Sequence, residues 1–241
     1  MQETLNPYIL VFNPLKPFVT PYLLQDTDIA VFNMLPDALP GGLVSAVMIS
    51  ATDVYRKDDG VVWVDEDSAV DPDNPYAVAE ASFVRFCDDN GLKPAVLRCA
   101  NPVGTGMDGL PMRLVRGIAR GTLMHVRGCE GAVSVMHVRD LPRLVKLSAG
   151  SGLTVNVTDG TETSVDALID ALAVRVSNKH VFTVGKKLGR VIYSRSYRAM
   201  LSQRRLYSDS RLQRLLADAG AAPLTCVTDY LTNHTYTDED I

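Results

Sequence analysis

The sequence predicts an α/β fold in which a parallel sheet is flanked by helices and followed by a small C-terminal lobe. Three observations predict it. Short unalternating apolar runs at Tyr8–Phe12 (YILVF), Leu43–Ile49 and Pro94–Cys99 suit strands buried on both faces. Between the last two lies an amphipathic segment that opens with a capping Asn74 and a first-turn Pro75 and stops at Asn90 and Gly91. Polar residues gather directly after these strands, where parallel sheets hold their ligands.

The 241 residues suffice for one large α/β unit, and 46% hydrophobic with 22% charged residues is a soluble, globular composition. A net charge of −4 gives no reason to expect nucleic acid. Cys87, Cys99, Cys129 and Cys226 stand far apart, so neither a zinc knuckle nor a disulfide framework is suggested. They read as reduced thiols of a cytoplasmic protein. No segment approaches the ~18 apolar residues of a membrane span, so no membrane partner is expected. The four histidines have no metal-ligand spacing, and no metal is expected.

Taken in order, the strand at Tyr8–Phe12 runs into Asn13–Phe18 (NPLKPF), where two prolines replace the glycines a dinucleotide-binding turn needs. A very short helix or turn closes at Leu23 and Leu24, and Asp28–Met34 is a second strand. About fifteen residues separate the two strands, too few for a β-α-β unit, which needs roughly 30. Leu35–Gly42 is a Pro/Gly loop, so this half of the fold is cut down to strands. Ser50–Tyr55 leaves the carboxyl end of the third strand, followed by an acidic loop over residues 56–72 containing Trp63 and Glu66. A glycine-rich loop spans Gly104–Gly109, and Leu110, Leu114, Val115 and Ile118 mark a helix face. A further helix runs through Leu144, Val145 and Leu147, and Leu153–Val157 is a strand. Thr163–Asp166 opens a helix with a capping-box pattern. From Lys186 to Arg214 the chain is basic, Ser208–Ala219 is helical, and the acidic tail after His234 is frayed.

An ordered set of motifs runs along residues 43–175: Ser50 to Tyr55 (S-x-x-x-V-Y), Glu66, Asn74-Pro-Tyr, Leu97-Arg-x-x-Asn-Pro, His137-Val-x-Asp-Leu and Asn156-Val-x-Asp-Gly. In this set the chain resembles the NAD-dependent epimerase/dehydratase family, the extended short-chain dehydrogenase/reductases that act on nucleotide-sugars. The resemblance implies a truncated Rossmann-type sheet. It divides the single unit into a core over about residues 1–105 and 134–160 and a substrate-type lobe over about 106–133 and 161–241.

The resemblance also assigns chemistry. The family's proton-transferring tyrosine falls on Tyr76, its activating lysine on Glu80 and its Ser/Thr hydroxyl on Ala51. A free phenol, with a pKa near 10, is a poor base at neutral pH, and a carboxylate four residues on would push it higher. Asn101 and Thr52 are the candidate substrate contacts, and an arginine that clamps the ligand's diphosphate in the family falls on Val133. The basic run (Lys186, Lys187, Arg190, Arg195, Arg198, Arg204, Arg205) reads either as a diphosphate holder or as a solvated helix face. His137 reads as structural.

The missing glycine turn, lysine and hydroxyl point to a pseudoenzyme with no expected cofactor, acting as a binding or assembly partner. Two alternatives stand beside it. One is an NAD- or NADP-dependent enzyme using Tyr76 through an altered cofactor site, and the other is a nucleotide-sugar sensor. Expected partners are a nucleotide-sugar and a second chain, as a homodimer or as a hetero-oligomer with a full-length relative.

Overall fold

The computed structural model describes residues 8–14, 20–23, 26, 28–36, 43–57, 63–104, 110–127, 131–176, 181–193, 198, 201–202 and 204–233. Pro17, most of the Leu35–Gly42 loop, the glycine loop after Gly104, Arg195 and the acidic tail lie outside them.

In chain order the strands are β1 (Tyr8–Phe12), β2 (Ile29–Phe32), β3 (Leu43–Ala51), β4 (Trp63–Val64), β5 (Pro94–Cys99), β6 (Pro102–Val103) and β7 (His125–Val126). β8 (Ala132–Val133), β9 (Met136–His137), β10 (Thr154–Val157), β11 (Thr163–Ser164), β12 (Thr183–Val184) and β13 (Arg204–Tyr207) follow. The helices are α1 (Thr20–Leu23), α2 (Pro75–Asp89), α3 (Leu110–Ala119), α4 (Leu141–Ser148), α5 (Val165–Val176) and α6 (Lys186–Ile192), then Ser210–Asp218 and Val227–Asn233.

A five-stranded, all-parallel sheet in the order β10-β5-β3-β1-β2 forms the centre. Alternation along its strands feeds two cores. Leu10, Phe12, Ala46, Met48 and Val96 face α2, where Phe83 stacks on Phe12 at 5.9 Å. Val11, Val47, Ile49 and Leu97 face the other way, into the larger core shared with α3, α4 and α5.

The first two strands are parallel neighbours, Ile9 opposite Ile29 and Phe12 opposite Phe32. The expectation that their connection is too short for a crossover is therefore corrected. The described part of the crossing is a single helical turn, α1, which buries Leu23. The helix at Pro75 forms as its caps predict: the Asn74 side chain accepts from the Tyr76 N–H at 2.9 Å, and Gly91 takes a left-handed φ of 67° beyond its end. At α5 the cap is Ser164, whose Oγ accepts from the Ala167 N–H at 3.0 Å.

A second sheet, ordered β11-β8-β13-β4, brings together strands from distant parts of the chain. Its β4 strand comes from the segment assigned by sequence to the core, pairing Val64 with Tyr207. α3 buries Leu110, Met112, Leu114, Val115 and Ile118 and packs on α5.

Candidate functional site

The polar residues singled out by sequence gather beyond the carboxyl ends of β3 and β5. β3 ends at the buried Ala51, and the chain turns through a short 3-10 segment, Thr52–Val54, before Tyr55. Tyr76 sits in the first turn of α2, half-buried beside this turn, packed on the cluster of Val54, Tyr55 and Tyr207. Its phenol is pushed up to about 12, first by burial and then by the Asp53 carboxylate and Cys99. At pH 7 about one phenol in 100,000 is then ionised.

The direction is the one expected from sequence; the cause is not. Glu80 does not supply the charge that raises Tyr76. It is buried, and its carboxylate accepts from Ser50 Oγ at 2.5 Å and from Arg98 Nε and Nη2 at 3.1 and 2.7 Å. The residue at the lysine position is therefore an anchor between α2, β3 and β5. Such a two-pronged guanidinium–carboxylate pair is among the stronger polar contacts a fold can make.

Arg98 carries a wider network. Its guanidinium lies 4.8 Å from the Tyr55 ring and donates to the Glu66 carbonyl at 3.4 Å. Tyr55 donates to Asn156 Oδ1 at 2.6 Å and stacks on Tyr207 at 5.8 Å. Burial pushes the Tyr55 phenol up to about 12, with Arg98 opposing the rise. Glu66 accepts the N–H of Asn156 at 2.9 Å, which satisfies a donor on the edge strand β10.

The two proposed ligand contacts are placed differently from each other. Thr52 is buried in the short 3-10 segment after β3, where its hydroxyl acts to lower the Tyr207 phenol that burial raises. Asn101 does not cap its own turn. It adopts a left-handed φ of 34° and donates from Nδ2 to the Ser134 carbonyl at 2.9 Å, tying β5 to the β8–β9 segment. His137 is structural, as read: it caps the following turn through Nδ1 and packs edge-on against Tyr230 at 4.0 Å.

The basic run is not one helix face. Lys187 lies on α6, whereas Arg204 and Arg205 occupy β13 with opposite exposure. Exposed Arg204 pairs with Glu162 at 2.7 Å, and Arg205 is buried. Tyr207 and Ser134, whose Oγ accepts the Tyr207 N–H at 3.0 Å, carry no local pattern by which sequence could mark them.

A dinucleotide needs free backbone donors directly after β1. The Asn13 N–H is spent on the Phe32 carbonyl at 2.9 Å, and Pro14 has none to give. These residues do not fit a nicotinamide dinucleotide's pyrophosphate. Among the described residues there is no group of acidic, histidine or cysteine side chains suited to a metal, and no helix long and apolar enough to cross a membrane.

A putative epimerase from Burkholderia cenocepacia superposes with a TM-score of 0.64 at 17% identity, covering 94% of this chain and 96% of the other. A superposition over nearly the whole of both chains decides the class. The chain has the epimerase/dehydratase fold. RMD from Pseudomonas aeruginosa, complexed with NADPH, shares this epimerase/dehydratase fold with a TM-score of 0.64 at 21% identity over 94% and 95% of the two chains. A UDP-N-acetylglucosamine 4-epimerase from Methanobrevibacter ruminantium, bound to UDP-N-acetylmuramic acid, does so with a TM-score of 0.63 at 14% identity over 94% and 96%. Neither a family model nor a curated protein sequence matches the chain.

Proposed function

We propose that this chain is an epimerase/dehydratase-fold protein that binds a nucleotide-sugar without performing hydride chemistry, acting as a binding or assembly partner. The observation that carries the reading is Glu80. The position that would activate Tyr76 is committed to Arg98 and Ser50, while the phenol is held at about 12. A proton donor or acceptor works best with a pKa near the operating pH, and burial, Asp53 and Cys99 move Tyr76 away from it. Ala51 offers no hydroxyl to the substrate oxygen. The spent Asn13 donor and Pro14 support the absence of a bound dinucleotide.

The second reading, an NAD(P)-dependent enzyme with an altered cofactor site, draws on RMD, which is complexed with NADPH, and on a Bordetella bronchiseptica protein of the same fold, WbmG, complexed with NAD. A panel of UDP-, GDP- and dTDP-sugars, each assayed with and without NAD(P)H, separates the two. A rise in melting temperature with a nucleotide-sugar, no consumption of reduced nicotinamide, and unchanged binding in Tyr76→Phe are expected. Turnover that Tyr76→Phe abolishes would establish the second reading instead.

Assembly completes the proposal. α2 presents Val78, 53% exposed, and Val84 to solvent, whereas the apolar side chains of α3 are buried within the chain. A second copy or a longer relative would meet the α2 face, and light scattering reads the mass.

A further inference from the structure

Helix α6 is mounted with its apolar face outward. Its seat is Gly189, buried and so close to β7 that a Cβ there would lie 2.6 Å from Val126 Cγ1. Tyr193, directly after the helix, fixes the same side. Its hydroxyl accepts the Met124 N–H at 2.7 Å and donates to the Thr122 carbonyl at 2.9 Å. β12, which leads into the helix, pairs with β7 through Thr183 and His125. With glycine and tyrosine making the contact inward, Leu188, Val191 and Ile192 share a helix face that is left in water. Val191 is 82% exposed, and Phe182, just before β12, is 76% exposed. Large apolar side chains gathered on one exposed segment, instead of scattered singly, mark a contact surface.

Charge identifies what the surface meets. Residues 171–208 carry nine lysines and arginines and no aspartate or glutamate, leaving 15 of the 24 basic residues to set against all 28 acidic ones elsewhere. Within that run Arg204 is paired with Glu162 and Arg205 is buried, whereas Lys187 is exposed and shares α6 with Lys186 and Arg190. The acidic side chains that face β7, Asp166 and Asp170 of α5, each hold a ring nitrogen of His125 at 2.9 Å. A symmetric dimer through this face would set the same cations against each other. A folded acidic partner would meet the charge but needs a closely fitting surface, and Val191 and Phe182 stand clear of theirs. A bilayer containing anionic lipid suits both features: its headgroups take the cations, and projecting apolar side chains pass between them.

We propose that the outer face of α6, together with Phe182, docks this protein on an anionic lipid surface. The contact is peripheral and needs no spanning helix, none being present among the described residues. It replaces the expectation of no membrane partner, which rested on the lack of a spanning run, and it stands apart from the nucleotide-sugar reading.

Co-sedimentation of the full chain with vesicles tests it, using phosphatidylcholine alone and phosphatidylcholine with phosphatidylserine in equal parts. The chain pellets with the mixed vesicles, stays in solution with the neutral ones, and is released by raised salt. Phe182→Ser/Val191→Ser weakens binding by about tenfold or more and melts with the parent chain, because both side chains are already in water. Lys187→Gln weakens it roughly fivefold. Leu153→Ser, an exposed leucine outside the patch, leaves it unchanged. No pelleting with the mixed vesicles overturns the proposal, as does equal pelleting of the parent and Phe182→Ser/Val191→Ser. Neutral vesicles binding as tightly as mixed ones also overturn it. Binding to polyglutamate without binding to vesicles points to an acidic protein partner and overturns it as well. Should Phe182→Ser/Val191→Ser fail to fold, Lys187→Gln decides: weaker vesicle binding supports the proposal and unchanged binding overturns it.

Discussion

Replacing Glu80 with alanine removes the counter-charge of Arg98 and leaves a guanidinium in a site where the paired side chains are 9% and 10% exposed. Breaking such a pair from one side costs about 3–5 kcal/mol, most of it the desolvation of the orphaned charge. The pair also floors a groove of about 530 Å³ along α2, through which water reaches Arg98 once the carboxylate is gone. The lower end, about 3 kcal/mol, is therefore the expectation. In a chain of this length 1 kcal/mol moves the melting temperature by about 2–4 °C, so Glu80→Ala melts about 6–12 °C lower. Glu80→Lys, which writes back the residue at the family's lysine position, sets two cations against each other in the same buried site. It is expected to destabilise at least as much and to confer no dinucleotide binding. The double variant Glu80→Met/Arg98→Met removes both charges and is expected to recover most of the loss. Urea unfolding of the parent, Glu80→Met, Arg98→Met and the double variant closes the cycle that gives the coupling energy. A loss below about 1 kcal/mol in Glu80→Ala would mean that the pair behaves as a solvated surface contact, and the argument would fail.

Two further perturbations probe the same polar layer. Tyr55→Phe leaves Asn156 Oδ1 without its buried donor and is expected to cost about 1–3 kcal/mol, read by urea unfolding; no measurable loss would contradict the 2.6 Å bond. Tyr55 and Tyr76, each held at about 12 in the fold against about 10 unfolded, contribute stability that is fully present below pH 10. It is lost as pH rises from about 10 to about 12, and absorbance titration should show these two phenols ionising late; all nine phenols of the chain ionising together near 10 would refute the burial argument.

The parallel sheet and α2 were legible because their signals are local. Unbroken apolar runs make the strands, and Asn74, Pro75 and Gly91 punctuate the helix within a few residues of its ends. The short strands were not legible. β4 has two residues and exists only because Val64 meets Tyr207 far along the chain. The Arg98 partner of Glu80 lies on a neighbouring strand, beyond the reach of any local pattern. The motif residues were recognised as a pattern, and the structure shows what they hold. Asp140 accepts the Thr225 N–H at 2.9 Å and Asp159 the Val227 N–H at 2.8 Å, while Asn156 holds Tyr55 and the Ser208 carbonyl. These residues fasten the C-terminal segment to the sheet. The ordered motifs thus carry the fold, and positions 51 and 80, on which the proposed function leans, are alanine and a buried glutamate.

The account turns on whether this scaffold still takes up a dinucleotide. Calorimetric titration of the full chain with NADPH and NADH measures this directly. With the Asn13 N–H already bonded and Pro14 lacking one, no saturable binding is expected below about 1 mM, roughly −4 kcal/mol. A micromolar dissociation constant for either would contradict the account.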